Sequence, residues 1–178
     1  TAAAHAESRH QCHAVDPRGR VLIAYGVYNN GDLKFAEGDG AAWSIQVIDS
    51  AGASNNGVPL KLALDGLGNP HIAYTLPTGG SSAYNLKYAS RTAGGAWAIA
   101  ELRPTGDNCS LPGLALDGDG NARVTYYSYA SNNDLRHIRY NGTSWSAPQV
   151  IDQSQNGLNA MTLDGAGNIH LSYYSGAP

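Results

Sequence analysis

Leu62-Ala63-Leu64-Asp65-Gly66-Leu67-Gly68-Asn69 decides how this chain folds, because the same eight-residue stretch returns elsewhere in it. It recurs as Leu114-Ala115-Leu116-Asp117-Gly118-Asp119-Gly120-Asn121 and as Met161-Thr162-Leu163-Asp164-Gly165-Ala166-Gly167-Asn168. A degenerate first copy reads His13-Ala14-Val15-Asp16-Pro17-Arg18-Gly19-Arg20. The aspartates are 49, 52 and 47 residues apart, a spacing that marks a tandem repeat.

Around each aspartate the pattern has a mechanical reading. Val15, Leu64, Leu116 and Leu163 precede it, with His13, Leu62, Leu114 and Met161 two places earlier, which predicts a strand with one face in a core. The aspartate opens a hairpin, where its carboxylate accepts backbone N–H groups while a glycine takes positive φ. A second strand carries Ile23, Ile72, Val124 and Leu171, each followed two places on by Tyr25, Tyr74, Tyr126 and Tyr173. A third is marked by Leu33-Lys34-Phe35, Leu86-Lys87-Tyr88 and Leu135-Arg136-His137. The hairpin dipeptides Asp39-Gly40, Gly94-Gly95 and Asn141-Gly142 follow, and Trp43, Trp97 and Trp145 are expected to open a fourth strand.

Four strands per roughly 50 residues, repeated without a helical segment, is the pattern of β-propeller blades. The fold class is therefore all-β, a single partial propeller domain over residues 1–178, with blades at about 10–49, 58–103 and 111–152 and a half blade at 158–178. The aspartate-glycine turns, and Ala14-Val15-Asp16-Pro17-Arg18-Gly19-Arg20-Val21 above all, resemble the repeats of bacterial NHL-like and BNR or sialidase-like propellers. That resemblance implies a fold rather than an activity. The chain departs from the sialidase Asp-box, Ser-x-Asp-x-Gly-x-x-Trp between the third and fourth strands.

Fourteen strands make three and a half blades. Doubling them gives 28, which leads to the expectation that a second chain, identical or the other half of a nicked precursor, completes a seven-bladed ring; a four-bladed ring lacking half a blade is the rival.

Composition limits the function. A net charge of -3 with only Lys34, Lys61 and Lys87 as lysines gives no basic stripe for nucleic acid. No apolar run is long enough to span a membrane, and Thr1 opens the chain without a signal-like segment, so processing or truncation is expected to have removed whatever preceded it. The protein is expected to be extracellular or periplasmic. Two cysteines, Cys12 and Cys109, leave open whether one disulfide forms. Asn108-Cys109-Ser110 and Asn141-Gly142-Thr143 match the glycosylation acceptor pattern.

The loops joining the second strand to the third, and the fourth to the next blade, share one rim and are rich in Asn, Ser, Gly and Tyr. They are the expected binding face. Tyr28, Asn30, Asp32, Tyr84, Asn85, Tyr129, Asn133 and Asp134 take equivalent places there, and tyrosine rings beside amides and carboxylates suit sugars. The leading reading is a non-catalytic, lectin-like carbohydrate-binding module, with a protein-interaction scaffold and a sialidase-like hydrolase as alternatives. A glycosidase needs two placed carboxylates, whereas Glu7, Glu37 and Glu101 are scattered.

No cofactor is expected. Asp117, Asp119 and Asn121 resemble the start of a calcium loop, but no downstream glutamate completes it, and a turn explains them better. Cys12 and His13 would point to opposite faces of a strand, which defeats joint metal ligation with His5 and His10. His71 and His170 share a repeat slot with Leu22 and Arg123, and so varied a slot reads as solvent-facing.

Overall fold

The computed structural model describes residues 10–28, 30–50, 58–77, 84–102, 108–129, 133–153 and 159–173. Among the described residues fourteen strands run along the chain. Blade 1 holds β1 (Gln11–Val15), β2 (Val21–Gly26), β3 (Asp32–Gly38) and β4 (Trp43–Ser50). Blade 2 holds β5 (Leu60–Leu64), β6 (Pro70–Pro77), β7 (Tyr84–Ser90) and β8 (Ala98–Glu101). Blade 3 holds β9 (Cys109–Leu116), β10 (Ala122–Ser128), β11 (Asp134–Arg139) and β12 (Gln149–Asp152), and a last hairpin holds β13 (Asn159–Leu163) and β14 (Ile169–Tyr173). Each blade is an antiparallel meander in chain order, and the fourth sheet contains its two inner strands alone.

The hairpin within each repeat is built by its aspartate. In blade 2 Asp65 Oδ1 accepts the backbone N–H groups of Leu67 and Asn69 at 2.9 and 2.8 Å, and Oδ2 accepts the Asn69 amide at 2.8 Å. Asp164 repeats this with Ala166 and Asn168, and Asp16 with Arg18 and Arg20. Gly19, Gly68, Gly120 and Gly167 close the four turns at φ of 80, 80, 80 and 81°, a conformation that favours glycine.

These donors stabilise the charged carboxylate. At Asp164 the Asn168 amide, the Asn168 backbone and His170 hold the pKa well below its ordinary value. At Asp65 burial pushes upward, but the hydrogen bonds of Asn69 and Leu67 outweigh it. A carboxyl depressed in the fold contributes stability that is present above its ordinary value of 3.8 and is lost as pH falls through the folded value. Stability is expected to drop steeply between about pH 4 and pH 2. In Asp65→Asn that drop should be shallower, as read from urea midpoints across the range.

Every blade has two faces, fixed by register. The first face of blade 2 carries Leu62, Ile72 and Ala89 in one cross-strand row, and it packs on the second face of blade 1, with Leu22, Ala24, Leu33 and Phe35. Between blades 2 and 3 the same stacking places Ala73 and Leu86 against Cys109, Val124, Tyr126 and Ile138. Each fully buried side chain of this kind contributes about 1.5–3 kcal/mol. Cys12 belongs to the first of these cores, 3.4 Å from the Leu60 carbonyl, and Cys109 to the second, so the two are not bridged.

Three sequence expectations are corrected. His13 and Val15 occupy buried slots by pattern, yet both are exposed, Val15 by 62%, because no blade lies against their face. The slot of Leu22, His71 and Arg123 faces the next blade rather than solvent, with Leu22 0% exposed and the His71 side chain 13%, whereas His170 on the last hairpin is solvent-facing as expected, its side chain 62% exposed. Trp43 does open a strand, but Trp97 precedes β8, and Trp145 forms an isolated bridge with Tyr140 ahead of β12.

Candidate functional site

The loop rim proposed from sequence is tied down by its own hydrogen bonds. The Asn30 amide donates to Asp32 at 2.7 Å, the Asp32 N–H returns a bond to Asn30, and Ser50 Oγ donates to Asp32 at 2.6 Å. Asn85 is buried and donates to the Glu101 carboxylate, and Asp134, 3% exposed, accepts from Arg136 at 2.9 Å. Asn133 takes φ of 56° to enter β11, while Tyr28, Tyr84 and Tyr129 are half-buried. The eight residues thus lie as three sets, one per blade, and their amides and carboxylates brace the ends of β3, β7 and β11. Between blades on this rim, Asp49 accepts Tyr74 Oη and Lys87 Nζ, both at 2.8 Å.

Nearer the centre, where strands β1, β5, β9 and β13 begin, His10, Lys61, Leu111, Pro112 and Asn159 line a cleft of about 120 Å³. Asn159 is clamped there, its Oδ1 accepting Thr125 Oγ1 and its amide donating to the Leu111 carbonyl, both at 2.8 Å.

A larger cleft, about 390 Å³, opens at the opposite rim between blades 2 and 3. Tyr88, Trp145 and Tyr140 form an aromatic wall, with Trp145 edge-on to Tyr88 at 5.0 Å and tilted against Tyr140 at 5.3 Å. His71, Ser90, Asn121 and Thr143 bring polar groups, and among the described residues no lysine, arginine or carboxylate lines it. Tyr88 Oη hydrogen-bonds His71 Nδ1, and His71 Nε2 lies 3.6 Å from Asp65 Oδ2. Burial lowers the His71 pKa, against the pull of Asp65, so the ring stays neutral at neutral pH. Burial also pushes Tyr88 up to about 12, which keeps its hydroxyl protonated.

The groove between blades 1 and 2 is built on the same slots but is smaller, about 180 Å³, and charged, with Asp16, Arg18, Arg20, Glu37 and Arg91 in its lining. Trp97 meets Phe35 edge-on at 5.0 Å and 70°, as Trp145 meets Tyr88 at 5.0 Å and 71°. Arg91 takes the position of Tyr140: its N–H donates to Pro70 as that of Tyr140 does to the equivalent Ala122. The Arg91 guanidinium sits 5.1 Å from both the Phe35 and Trp97 rings and pairs with Glu37 at 2.9 Å, where blade 2 has Ser90. Exchange of this ion pair for Tyr140 and Ser90 goes with the change from a small charged groove to a larger cleft with an uncharged lining.

The Asp117 carboxylate, considered above for calcium, is occupied by donors: Asp119 and Asn121 N–H at 3.2 and 2.9 Å, and Arg123 at 3.5 Å. Among the described residues no group of three or more His, Cys, Asp or Glu side chains converges as a metal site.

No protein-family model matches the sequence, and comparison with curated proteins finds no match. Solved structures do match in shape. A fucose lectin from Kordia zhangzhouensis in complex with methyl-fucoside aligns over 81% of this chain and 99% of its own, with a TM-score of 0.51 and 17% identity. The fold is a partial β-propeller. The α-L-arabinanase of Penicillium chrysogenum, complexed with arabinobiose, aligns over 92% of the chain with a TM-score of 0.62 and 13% identity. An ulvan lyase, a polysaccharide lyase, aligns over 86% with a TM-score of 0.64 and 11% identity. The chain spans 58% of the arabinanase and 46% of the lyase, and at these identities the likeness concerns the propeller fold alone.

The sequence reading takes the short-turn rim as structure and the tryptophans as strand markers, so it does not single out Tyr140, Trp145 and His71 as neighbours in a cleft. The signal was present in the exchange of Gly38, Arg91 and Tyr140 at one repeat slot and of Glu37, Ser90 and Arg139 at its neighbour.

Proposed function

We propose that this chain is a carbohydrate-binding propeller module that acts outside the cytoplasm and holds a neutral sugar ring in the cleft between blades 2 and 3. The carrying observation is the wall of Tyr88, Trp145 and Tyr140 beside the uncharged polar groups of His71, Ser90, Asn121 and Thr143. Aromatic faces cover the apolar C–H side of a sugar, while neutral donors and acceptors fix its hydroxyls. Solved structures of similar fold include proteins captured with methyl-fucoside and arabinobiose, which supports this ligand class. The lining supplies no pair of carboxylates of the kind hydrolysis uses, which favours binding over cleavage.

The test is titration calorimetry with neutral glycosides, chosen from a glycan array. Tyr140→Ala is expected to weaken binding by at least about 30-fold, the loss of roughly 2 kcal/mol typical of a buried aromatic anchor. Tyr28→Ala, Tyr84→Ala and Tyr129→Ala are expected to bind as the wild type does. Loss of binding in those three with Tyr140→Ala unaffected would move the site to the loop rim.

A further inference from the structure

Each covered interface in this molecule joins the second face of one blade to the first face of the next, and among the described residues one face of each kind stands uncovered. On blade 1 the first face is open. Ile23 and Tyr25 are only half-buried, whereas their counterparts Ile72, Tyr74, Val124 and Tyr126 are 0% exposed. At the other end the second face of the β13–β14 hairpin is open. Ser172 is exposed there, although Ala24, Ala73 and Thr125 in the same slot are 0% exposed.

The two open faces match in extent and in chemistry. Blade 1 differs from its counterparts mainly on β1 and β2, and an inner hairpin such as β13–β14 covers that much of a blade. Both faces are also the polar members of their sets. Gln11 and His13 stand where blade 2 has Leu60 and Leu62, and Thr162 and Ser172 stand where blade 1 has Ala14 and Ala24. Surfaces that alternate between water and a partner need such groups, whereas the same slots at the interfaces within the chain are mostly apolar.

We propose that a second copy of this chain lays the second face of its β13–β14 hairpin on the first face of blade 1, and that the reciprocal contact closes a two-fold ring. The contact is face on face. Both spare hairpins are inner pairs, so they cannot merge into one four-stranded blade as a count of 28 strands suggests. The ring instead contains eight sheets, four from each copy, within the range of about four to eight that propellers close. Head-to-tail contacts of this type form rings when the rotation closes.

Sedimentation equilibrium of the intact chain tests it, and the expected mass is twice 18.6 kDa. Val15→Arg/Ile23→Arg removes one side of the contact, and Thr162→Arg/Ser172→Arg removes the other. Each double variant alone should sediment near 18.6 kDa, and a mixture of the two should regain a dimer through the one intact pair of faces. That regain also shows that neither variant has unfolded. A wild-type mass of 18.6 kDa at every concentration overturns the proposal, as does a Thr162→Arg/Ser172→Arg variant that still dimerises, since that would mean two blade 1 faces meet each other.

Discussion

Gly26→Ala is expected to destabilise the protein by about 3 kcal/mol or more, a large fraction of the stability of a domain this size. Gly26 ends β2 on its second face, opposite Leu33, where blade 2 comes closest to blade 1. A Cβ built there lies 2.5 Å from the Val58 Cβ and 2.8 Å from the Val58 backbone nitrogen. Val58 is 0% exposed, so neither it nor the main chain beside it has room to retreat. The backbone conformation at Gly26 lies outside the left-handed region, so the cost arises from the lost gap between blades. Gly66→Ala is the control, since nothing lies within 4 Å of its added methyl, and its urea midpoint should stay within about 0.5 kcal/mol of wild type. Equal midpoints for Gly26→Ala and wild type would mean that the two blades separate freely.

The blades were legible in the sequence because their information is local. An aspartate that binds the N–H groups two and four residues on, followed by a glycine at positive φ, makes the same turn wherever it occurs. Four copies of Asp16, Asp65, Asp117 and Asp164 therefore announce four hairpins. The alternation of Ile72 and Tyr74 or Val124 and Tyr126 likewise reports a buried face through period two alone. Periodicity says which residues share a face. It does not say whether a neighbour covers that face, and for this reason Val15 was placed in a core and is exposed. The hint lay in Gln11 and His13, polar residues in slots that are otherwise apolar.

The candidate site was not legible in the same way. His71 and Tyr88 come from one repeat and Tyr140 and Trp145 from the next, so the cleft exists only where two blades stack. Reading for polar loops led instead to Asn30, Asp32, Asn85 and Asp134, whose polarity serves to close loop ends. In a tandem repeat the informative positions are those that depart from their counterparts at an interface. Equivalence at every other slot makes the departure of Tyr140 from Arg91 interpretable.

That comparison yields the second large effect: Glu37→Ser combined with Arg91→Tyr is expected to open a second sugar site and raise the stoichiometry from one to two per chain. The double variant copies into the groove between blades 1 and 2 the two residues that distinguish the open cleft. Both partners must go together. The Arg91 side chain is 9% exposed, and with Glu37 absent it would be a buried cation lacking its carboxylate, at a cost of about 3–5 kcal/mol. With both replaced no charge is stranded, because Arg20, the other partner of Glu37, keeps Asp16 at 2.8 Å. Trp97 and Phe35 already hold the edge-on geometry of Trp145 and Tyr88. Further differences persist, since Leu22, Phe35 and Gly95 stand where the cleft has His71, Tyr88 and Thr143, and they withhold the imidazole and two hydroxyls. The new site should therefore bind at least about tenfold more weakly, as the loss of one hydrogen bond of roughly 1.4 kcal/mol implies. Adding Leu22→His and Phe35→Tyr should narrow that gap. Calorimetry reads both quantities in one titration. A folded double variant that still binds one sugar would show that Arg91 and Glu37 are not what keeps sugar out of the groove, and no binding in either protein would remove the carbohydrate reading itself.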